Sequence, residues 1–554
     1  MTQDLYLYDT TLRDGGQTRG VNFSAKDKHR VSSWLDRLGV AYVEGGWPGA
    51  NPVDDEFFAE PPVLKNAKLA AFGMTRRSKI RVEEDASIQT LSASKASSVA
   101  LVGKTWDFHA THALGVSLDE NLRMIGDSVA FVSGNKKEVL FDAEHFFDGF
   151  KANKDYALSC LSAAHDAGAS WLVLCDTNGG TLPYEVDSIV QEVKEELPEA
   201  PLGIHCHNDT GNAVANSIMA VRAGCKMVQA TLGGLGERCG NADLLTLIPT
   251  LHYKMGYDVG VSDKACANLV KISNSFAALL DRDVPSNAAY VGKSAFAHKG
   301  GLHVRGVDCN EKTYEHMSPE LVGNQRDVII SDQAGLSNLR HQLRELGIVV
   351  ADNDPALKAL LKKVKQTGQE GFSYDYAVAS FALMSLRSLG RAPNFFSVKS
   401  CEINNRGSGD LNRIFSMTSH ASIKLQIGDN TREAVAEGVG PVNALDAALR
   451  LALNGTYPVI KDIKLTDYHV RILDTKAATA ATTRVLLESK NTKSMSSWVT
   501  IGASPNVINA SLQALCDSYE YGILMENAKN RTAMPERHGS MRKESSSTAT
   551  GAHP

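Results

Sequence analysis

The run Leu202-Gly-Ile-His205-Cys-His207-Asn-Asp-Thr-Gly211 sets two histidines two residues apart at the end of a short apolar stretch. Residues i and i+2 of a β-strand point to the same face, so His205 and His207 would project side by side. Two imidazoles placed this way are half of a divalent-metal site, although an isolated His-x-His is more often a pair of hydrogen-bonded strand-end histidines. A hard divalent ion also needs oxygen donors. Asp14, in Arg13-Asp14-Gly-Gly, offers a carboxylate, and Asn241, closing Gly233-Gly-Leu-Gly-Glu-Arg-Cys-Gly-Asn241, offers a neutral amide oxygen. Each could instead belong to an ordinary turn, which the neighbouring glycines would permit. Asp14, His205, His207 and Asn241 with water would form a mixed N/O site suited to Mg²⁺, Mn²⁺ or Zn²⁺. An ion left with open positions acts as a Lewis acid on a bound carbonyl.

For these residues to meet, the ends of distant strands must converge. Strands are expected at Leu5–Tyr8, Val40–Glu44, Leu69–Phe72, Val99–Val102, Val139–Phe141, Trp171–Cys175, Leu202–His205 and Met227–Thr231. Between most of them lies a stretch of helical periodicity. Asp27–Leu38 is one example, preceded by Ser24 at capping-box spacing, and Asn121–Val132, Tyr156–Ala167, Val186–Glu196 and Asn212–Ala223 are others. The link from the third strand to the fourth is not clear from the pattern. Eight βα units over about 250 residues have the size of a (β/α)8 barrel of the α/β class, with a doubly wound open sheet as the alternative. The placement of polar residues favours the barrel. Arg13 and Asp14, Glu44, Glu144, Asp176-Thr177, His205 and His207, and Glu237–Asn241 all end or follow strands. A barrel gathers such ends into one mouth, whereas an open sheet spreads them along a line.

The βα rhythm covers residues 1–257. Residues 258–392 read as a helical linker subdomain, with a long helix over Lys264–Leu280 and further helices at Leu336–Leu346, Pro355–Lys365 and Tyr376–Leu389. Within it, Ala295-Phe-Ala-His298-Lys-Gly-Gly-Leu-His303-Val-Arg305 reads as a glycine-rich loop. Residues 393–525 alternate as strands at Phe396–Ile403, Ala421–Ile427, Ile463–Leu473 and Thr482–Glu488, with helices at Val442–Leu453 and Val507–Tyr519. This is an α+β domain that looks duplicated. Residues 526–554 are polar and serine-rich, a composition expected to be disordered. At 554 residues several domains are required, and a formal charge of -5 argues against nucleic-acid or membrane binding through a general field. No apolar run has membrane-spanning length, and the N-terminus lacks the features of a signal peptide. Nine cysteines without CxxC pairs, with Cys160, Cys175, Cys206 and Cys225 inside apolar runs, fit buried thiols and a cytoplasmic setting.

Taken together, Asp9-Thr-Thr-Leu-Arg-Asp-Gly, His205-x-His207-Asn-Asp-x-Gly and Gly-Glu-Arg-x-Gly-Asn241 resemble the metal-dependent acyl-CoA barrel enzymes. These include the 2-isopropylmalate, homocitrate and citramalate synthases and the hydroxymethylglutaryl-CoA lyases. The His298–His303 segment resembles the synthases' linker. Gly440-Pro-Val-Asn-Ala-Leu-Asp446 and Thr500-Ile-Gly-Ala-Ser-Pro-Asn-Val-Ile508 resemble their C-terminal regulatory domain, which the lyases lack. The resemblance implies a (β/α)8 barrel, a helical linker subdomain and an α+β regulatory domain that binds an amino-acid effector, in a homodimer. It implies Asp14, His205, His207 and Asn241 as metal ligands and acetyl-CoA as cosubstrate. Arg13 would stabilise the enolate oxygen and contact substrate, and Thr177 would bind the oxo-acid carboxylate. His303, oriented with help from Glu144, would take part in removing the methyl proton, and Tyr314 would serve near the hydrolysis step. Arg305 stands where many synthases have an acidic residue. Asp14 rather than Glu argues against 2-oxoglutarate, and Val43-Glu-Gly-Gly-Trp-Pro-Gly49 resembles the citramalate synthases and so implies pyruvate as acceptor. The alternatives are 2-oxoisovalerate, as in the 2-isopropylmalate synthases, and a non-catalytic relative that binds an amino acid.

Overall fold

The computed structural model describes residues 5–532 except 332, 352, 393 and 411–413. Its described residues fall into two compact units, one drawn from Met1–Ala297 and His316–Asp327, the other from His298–Glu315 and Val328–Pro554.

The first unit contains a closed eight-stranded barrel. Its strands are β1 (Tyr6–Asp9), β2 (Tyr42–Glu44), β3 (Lys68–Met74), β4 (Ser98–Lys104), β5 (Glu138–Glu144), β6 (Trp171–Asp176), β7 (Leu202–Cys206) and β8 (Met227–Ala230). All neighbours are parallel, and the pairing of β1 with β8 from Tyr6↔Met227 to Asp9↔Ala230 closes the ring, which rules out the open sheet. Helices follow the strands in order: α1 (Ala25–Leu38), α2 (Pro52–Ala59), α3 (Ala86–Ala93), α4 (Leu118–Gly134), α5 (Phe146–Ala152), α6 (Lys154–Asp166), α7 (Pro183–Glu196), α8 (Ala213–Ala223) and α9 (Leu244–Pro249). The link that the sequence pattern left open, between β3 and β4, is the short helix α3.

Local signals set the helix ends. Ser24 and Asp27 form the expected capping box on α1. Gly39 stops α1 at φ 102°, where a Cβ would lie 2.4 Å from the Gly260 carbonyl oxygen, so only glycine fits. Outward residues of the strands, such as Val139, Phe141, Leu172, Leu174 and Ile204, pack under the helices in the main core. Inward residues alternate with them: Tyr8, Tyr42, Ala70, Phe72, Ala100, Leu140, Trp171, Val173, Cys175 and Met227 fill the barrel interior. Continuing the inward rows in steps of two toward the C-terminal ends gives Thr10, Glu44, Met74, Lys104 (after Val102), Asp142 and Glu144, Thr177, His205 and His207 (after Gly203), and Gln229. The period of two that fills the floor of the barrel with apolar side chains therefore lines its mouth with chemistry.

In the second unit, helices Leu336–Glu345, Pro355–Gln369 and Val378–Ser388 share a core built on Leu339, Leu343, Leu360 and Phe381. Two three-stranded antiparallel sheets follow: Ser397–Asp410, Ile414–Ile427 and Asn430–Gly438, then Ile463–Ile472, Thr483–Asn491 and Ser497–Ser504. Helix Pro441–Asn454 follows the first sheet and Val507–Thr532 the second, so the repeat expected from the sequence is present, with a third strand in each copy.

Three further expectations are corrected. The long helix over 264–280 is broken into Asp263–Cys266 and Leu269–Leu279, and the Asn268 side chain at the break donates to the Lys264 carbonyl, satisfying it outside a continuous helix. The glycine-rich loop holds a helix, Gly301–Cys309, anchored by buried Val304 and Val307. Helix Val507–Thr532 runs through residues 526–532, assigned above to a polar tail, and the remainder of that tail, 533–554, lies outside the described residues. Among the described residues no helix is long and apolar enough to cross a membrane.

Candidate active site

At the barrel mouth Asp14, His205 and His207 are all buried and converge. His205 Nε2 lies 3.3 Å from Asp14 Oδ2 and 3.3 Å from His207 Nε2, and His207 Nε2 lies 4.0 Å from the same carboxylate oxygen. The ligand atoms of the three residues fall within 4.8 Å of one another, close enough for one ion. Asn241 sits beside them, its backbone bridged to His207 and its amide N–H bonded to the Gly234 carbonyl at 3.0 Å. Gly240 makes that approach possible: at φ 89°, a Cβ there would come within 2.0 Å of the Gly234 oxygen. Asp14 Oδ1, His207 Nδ1 and both polar atoms of the Asn241 amide are buried without a hydrogen-bond partner among the described residues. Unsatisfied buried donors and acceptors are costly, and such a set around two imidazoles and a carboxylate fits a divalent cation.

The second layer fixes the chemistry of the first. The Gln229 amide nitrogen donates to Asp142 Oδ1 at 3.0 Å, which turns its oxygen toward His205 Nδ1 at 2.7 Å. Nδ1 must then carry a proton, so in the neutral ring it is Nε2 that holds the lone pair on the Asp14 side. Burial alone would push the Asp14 carboxyl up, but Arg13 and then His205 hold it well below the usual carboxylate range. Burial, reinforced by His205, pushes His207 down to about 3, so its ring stays neutral at physiological pH. Burial opposes charge on His205, yet contact with Asp14 raises it. Burial and the nearby Glu44 push Asp142 up to about 7.

Arg13 is oriented from three sides. Its Nε donates to Glu44 Oε2 at 2.7 Å, its Nη1 reaches Asp14 Oδ2 at 3.3 Å, and its guanidinium lies 3.9 Å from the centre of the Phe72 ring. Glu44, fully buried, also accepts from the Tyr8 hydroxyl at 2.8 Å and from Thr10. Burial disfavours the charge on Arg13, but Glu44 and Asp14 outweigh it and keep the cation.

A cavity of about 660 Å³ opens over this layer, lined by Arg13, Asp14, Glu144, Thr177, His205 and His207 among others. Six of the nine residues singled out from the sequence thus border one space, and Asn241 adjoins it through His207. Thr177 accepts the His145 amide N–H at 2.8 Å, which leaves its hydroxyl proton free to donate. Glu144 pairs with Lys104, its register neighbour on β4. His303 and Tyr314 belong to the second unit, where their exposed rings stack at 4.3 Å and 26°. Gly306 makes room for that stack, since a Cβ there would meet the Tyr314 ring at 2.5 Å. Sequence reasoning missed Lys104, Asp142 and Gln229. Their signal was a polar residue at an inward position of an otherwise apolar strand, readable only once the register is known.

Comparison with known proteins matches residues 4–274 to the HMGL-like family, 290–371 to the homocitrate synthase post-HMGL domain-like family and 376–523 to the LeuA allosteric (dimerisation) domain. The chain is 46% identical to an (R)-citramalate synthase of Aquifex aeolicus over 95% of this chain and 99% of that one. It is 46% identical to one of Geobacter sulfurreducens over 93% and 97%. A 2-isopropylmalate synthase of Methanocaldococcus jannaschii is 30% identical over 93% of each chain. With 46% identity over nearly the whole length of these relatives, the chain belongs to the (R)-citramalate synthase family.

Proposed function

We propose that the chain condenses acetyl-CoA with pyruvate and hydrolyses the resulting thioester, yielding (R)-citramalate and CoA for isoleucine biosynthesis in the cytoplasm. The observation that carries this reading is the 46% identity to (R)-citramalate synthases over almost the whole chain, against 30% to a 2-isopropylmalate synthase. Residues 1–257 are the catalytic barrel, 258–392 the linker and 393–525 a regulatory domain that mediates homodimerisation and binds an amino-acid effector.

Asp14, His205, His207 and Asn241 would hold the divalent ion, Mg²⁺, Mn²⁺ or Zn²⁺, which when bound supplies Lewis acidity toward the 2-oxo acid. Thr177 offers its hydroxyl proton to the pyruvate carboxylate. Arg13, fixed by Glu44 and Asp14, holds a permanent positive charge where the enolate oxygen of acetyl-CoA develops, and it needs no reorganisation to do so. His303 receives the methyl proton, aided by Glu144, because a thioester α-proton is too weakly acidic for imidazole without simultaneous stabilisation of the oxyanion. The new C–C bond joins the acetyl methyl carbon to the ketone carbon of pyruvate. Water then attacks the thioester carbonyl and the CoA thiolate leaves, with Tyr314 serving this step. The roles of His303, Glu144 and Tyr314 rest on motif resemblance.

The test is thiol release from acetyl-CoA with pyruvate, 2-oxoisovalerate or 2-oxoglutarate supplied separately. Release with pyruvate is expected. Preference for 2-oxoisovalerate would overturn the acceptor assignment, and no release with any acceptor would overturn the enzymatic reading.

A further inference from the structure

The cavity over the metal-ligating residues is lined by both polar and apolar side chains: Arg13, Asp14, Thr177, His205 and His207 are among the first, and Trp47, Phe72, Met74 and Val102 among the second. A 2-oxo acid held by its carboxylate and ketone against the polar groups leaves its side chain to be received by the apolar ones. Phe72, Met74 and Val102 are strand residues whose positions the barrel fixes. Trp47 is different: it lies on the loop between β2 and α2, and its ring meets Phe72 edge-on with centroids 5.5 Å apart and planes at 78°. Phe72 in turn carries the Arg13 guanidinium. The bulkiest apolar lining group therefore lies one residue beyond the last backbone bond that ties the loop to the barrel, from the Phe72 N–H to the Gly46 carbonyl at 2.9 Å.

The loop has its own fastening. The buried Asp54 carboxylate accepts the Trp47 backbone N–H at 2.8 Å and the Asn51 amide at 3.0 Å, and it pairs with buried Lys28 of α1. Lys28 Nζ also donates to the Gly45 carbonyl at 2.8 Å, so one ion pair holds both ends of the Gly45–Trp47 turn. Gly46 adopts φ 140°, and a Cβ there would come within 2.6 Å of the Asp54 carboxylate, so the glycine is what lets the turn close on it. Burying two charges to fasten three loop residues is an expensive arrangement, since a buried pair gains stability only when its hydrogen bonds are complete. Here they fix one side chain at the edge of a substrate cavity.

We propose that Trp47 is the specificity-determining residue that limits the side chain of the 2-oxo acid, and that Lys28 and Asp54 are positioning residues that hold it in place. This rests on the reading of the chain as a 2-oxo-acid condensing enzyme. The experiment measures kcat/KM for pyruvate, 2-oxobutyrate and 2-oxoisovalerate in the full-length parent, Trp47→Ala, Trp47→Phe and the double variant Lys28→Met/Asp54→Leu. The double variant exchanges the ion pair for apolar groups instead of stranding one charge. Trp47→Ala should raise the 2-oxoisovalerate-to-pyruvate ratio by at least ~10-fold, the scale of added methylene groups in an apolar pocket. Trp47→Phe should keep the parent's preference. The double variant should shift the ratio in the same direction as Trp47→Ala, because the indole is released though present. A general loss of stability would lower all three rates together and leave the ratio unchanged. A ratio within 2-fold of the parent in Trp47→Ala overturns the proposal, and an unshifted ratio in a folded double variant overturns the positioning role. A parent inactive with every acceptor would instead overturn the underlying functional reading.

Discussion

Glu44→Gln tests how the site holds its charge. Glu44 is fully buried and accepts three hydrogen bonds, from Tyr8, Thr10 and Arg13 Nε, the last at 2.7 Å. A glutamine can keep the shape of this arrangement, turning its amide nitrogen toward the Tyr8 oxygen and its carbonyl toward Thr10 and Arg13. What is lost is the negative charge beside a guanidinium whose side chain is only 14% exposed. Removing one partner of a buried ion pair costs about 3–5 kcal/mol, and because Asp14 remains 3.3 Å from Arg13 Nη1, the low end, about 3 kcal/mol, is expected. Arg13 would then drift toward Asp14, and a displacement of this kind at the reacting centre costs about 10²-fold in kcat/KM. Urea denaturation and acetyl-CoA-dependent thiol release measure the two effects. The sharper check is a reversal of sign. In an Arg13→Met background Glu44 is a buried carboxylate without its cation, so Glu44→Gln should there stabilise the fold and leave the residual activity unchanged. Destabilisation of equal size in both backgrounds would refute the claim that Glu44 acts through Arg13.

Gln229→Leu removes the acceptor from His205 Nδ1 and the donor from Asp142, and should weaken divalent-metal affinity about 10–100-fold in chelator competition with apo protein; unchanged affinity would show that the relay does not set the His205 tautomer. His207→Ala should abolish both turnover and divalent-ion dependence while the barrel still folds, and full retained activity would remove the metal site from the mechanism. Asp142→Asn keeps an oxygen for Gln229 but removes the charge. The folded-state pKa is raised from 3.8 to about 7, so in the parent this carboxyl costs nothing below about pH 4, costs progressively more as pH rises to about 7, and stays at its maximum above that. The variant should therefore gain stability over the parent from pH 4 to pH 8, by at most about 4 kcal/mol, in denaturation of metal-free protein. An equal difference between the two proteins at pH 4 and pH 8 would contradict the placement of Asp142.

The barrel was legible because its strands are short apolar runs bounded by turns, and because reactive residue types recur at their C-terminal ends. Residue type and strand end sufficed to bring Asp14, His205 and His207 together, since a metal ligand must be His, Asp or another donor. Positioning partners are a different matter. Glu44 reaches Arg13, Gln229 reaches both His205 and Asp142, and Lys104 reaches Glu144 through registers between strands 24 to 87 positions apart in the sequence. No local pattern records those registers. The two strands missed in the second unit failed for opposite reasons. Asn430–Gly438 has a single buried residue, Ala434, so no apolar alternation marks it, while Ser497–Ser504 is buried almost throughout and gives no polar face. The helix at Gly301–Cys309 was hidden by Gly300, Gly301 and Gly306, which read as a loop until Val304 and Val307 find a core.

The mouth of the barrel is best understood as one electrostatic unit. Arg13 is shared by Glu44 and Asp14 and keeps Asp14 ionised against its burial, whereas burial, reinforced by the nearby Glu44, drives Asp142 upward despite Arg13 and His205. His207 is kept neutral by burial and by its neighbour His205, which Asp14 in turn draws toward the charged form. No member can be changed without altering the protonation or orientation of the others, so substitutions here should be strongly non-additive. It follows that Glu44 and Gln229 control the form in which the Arg13 cation and the His205 imidazole are presented to the cavity. A barrel that carried Asp14, His205 and His207 on the same strand ends but lacked Glu44 and Gln229 would display the motif and bind a divalent ion poorly.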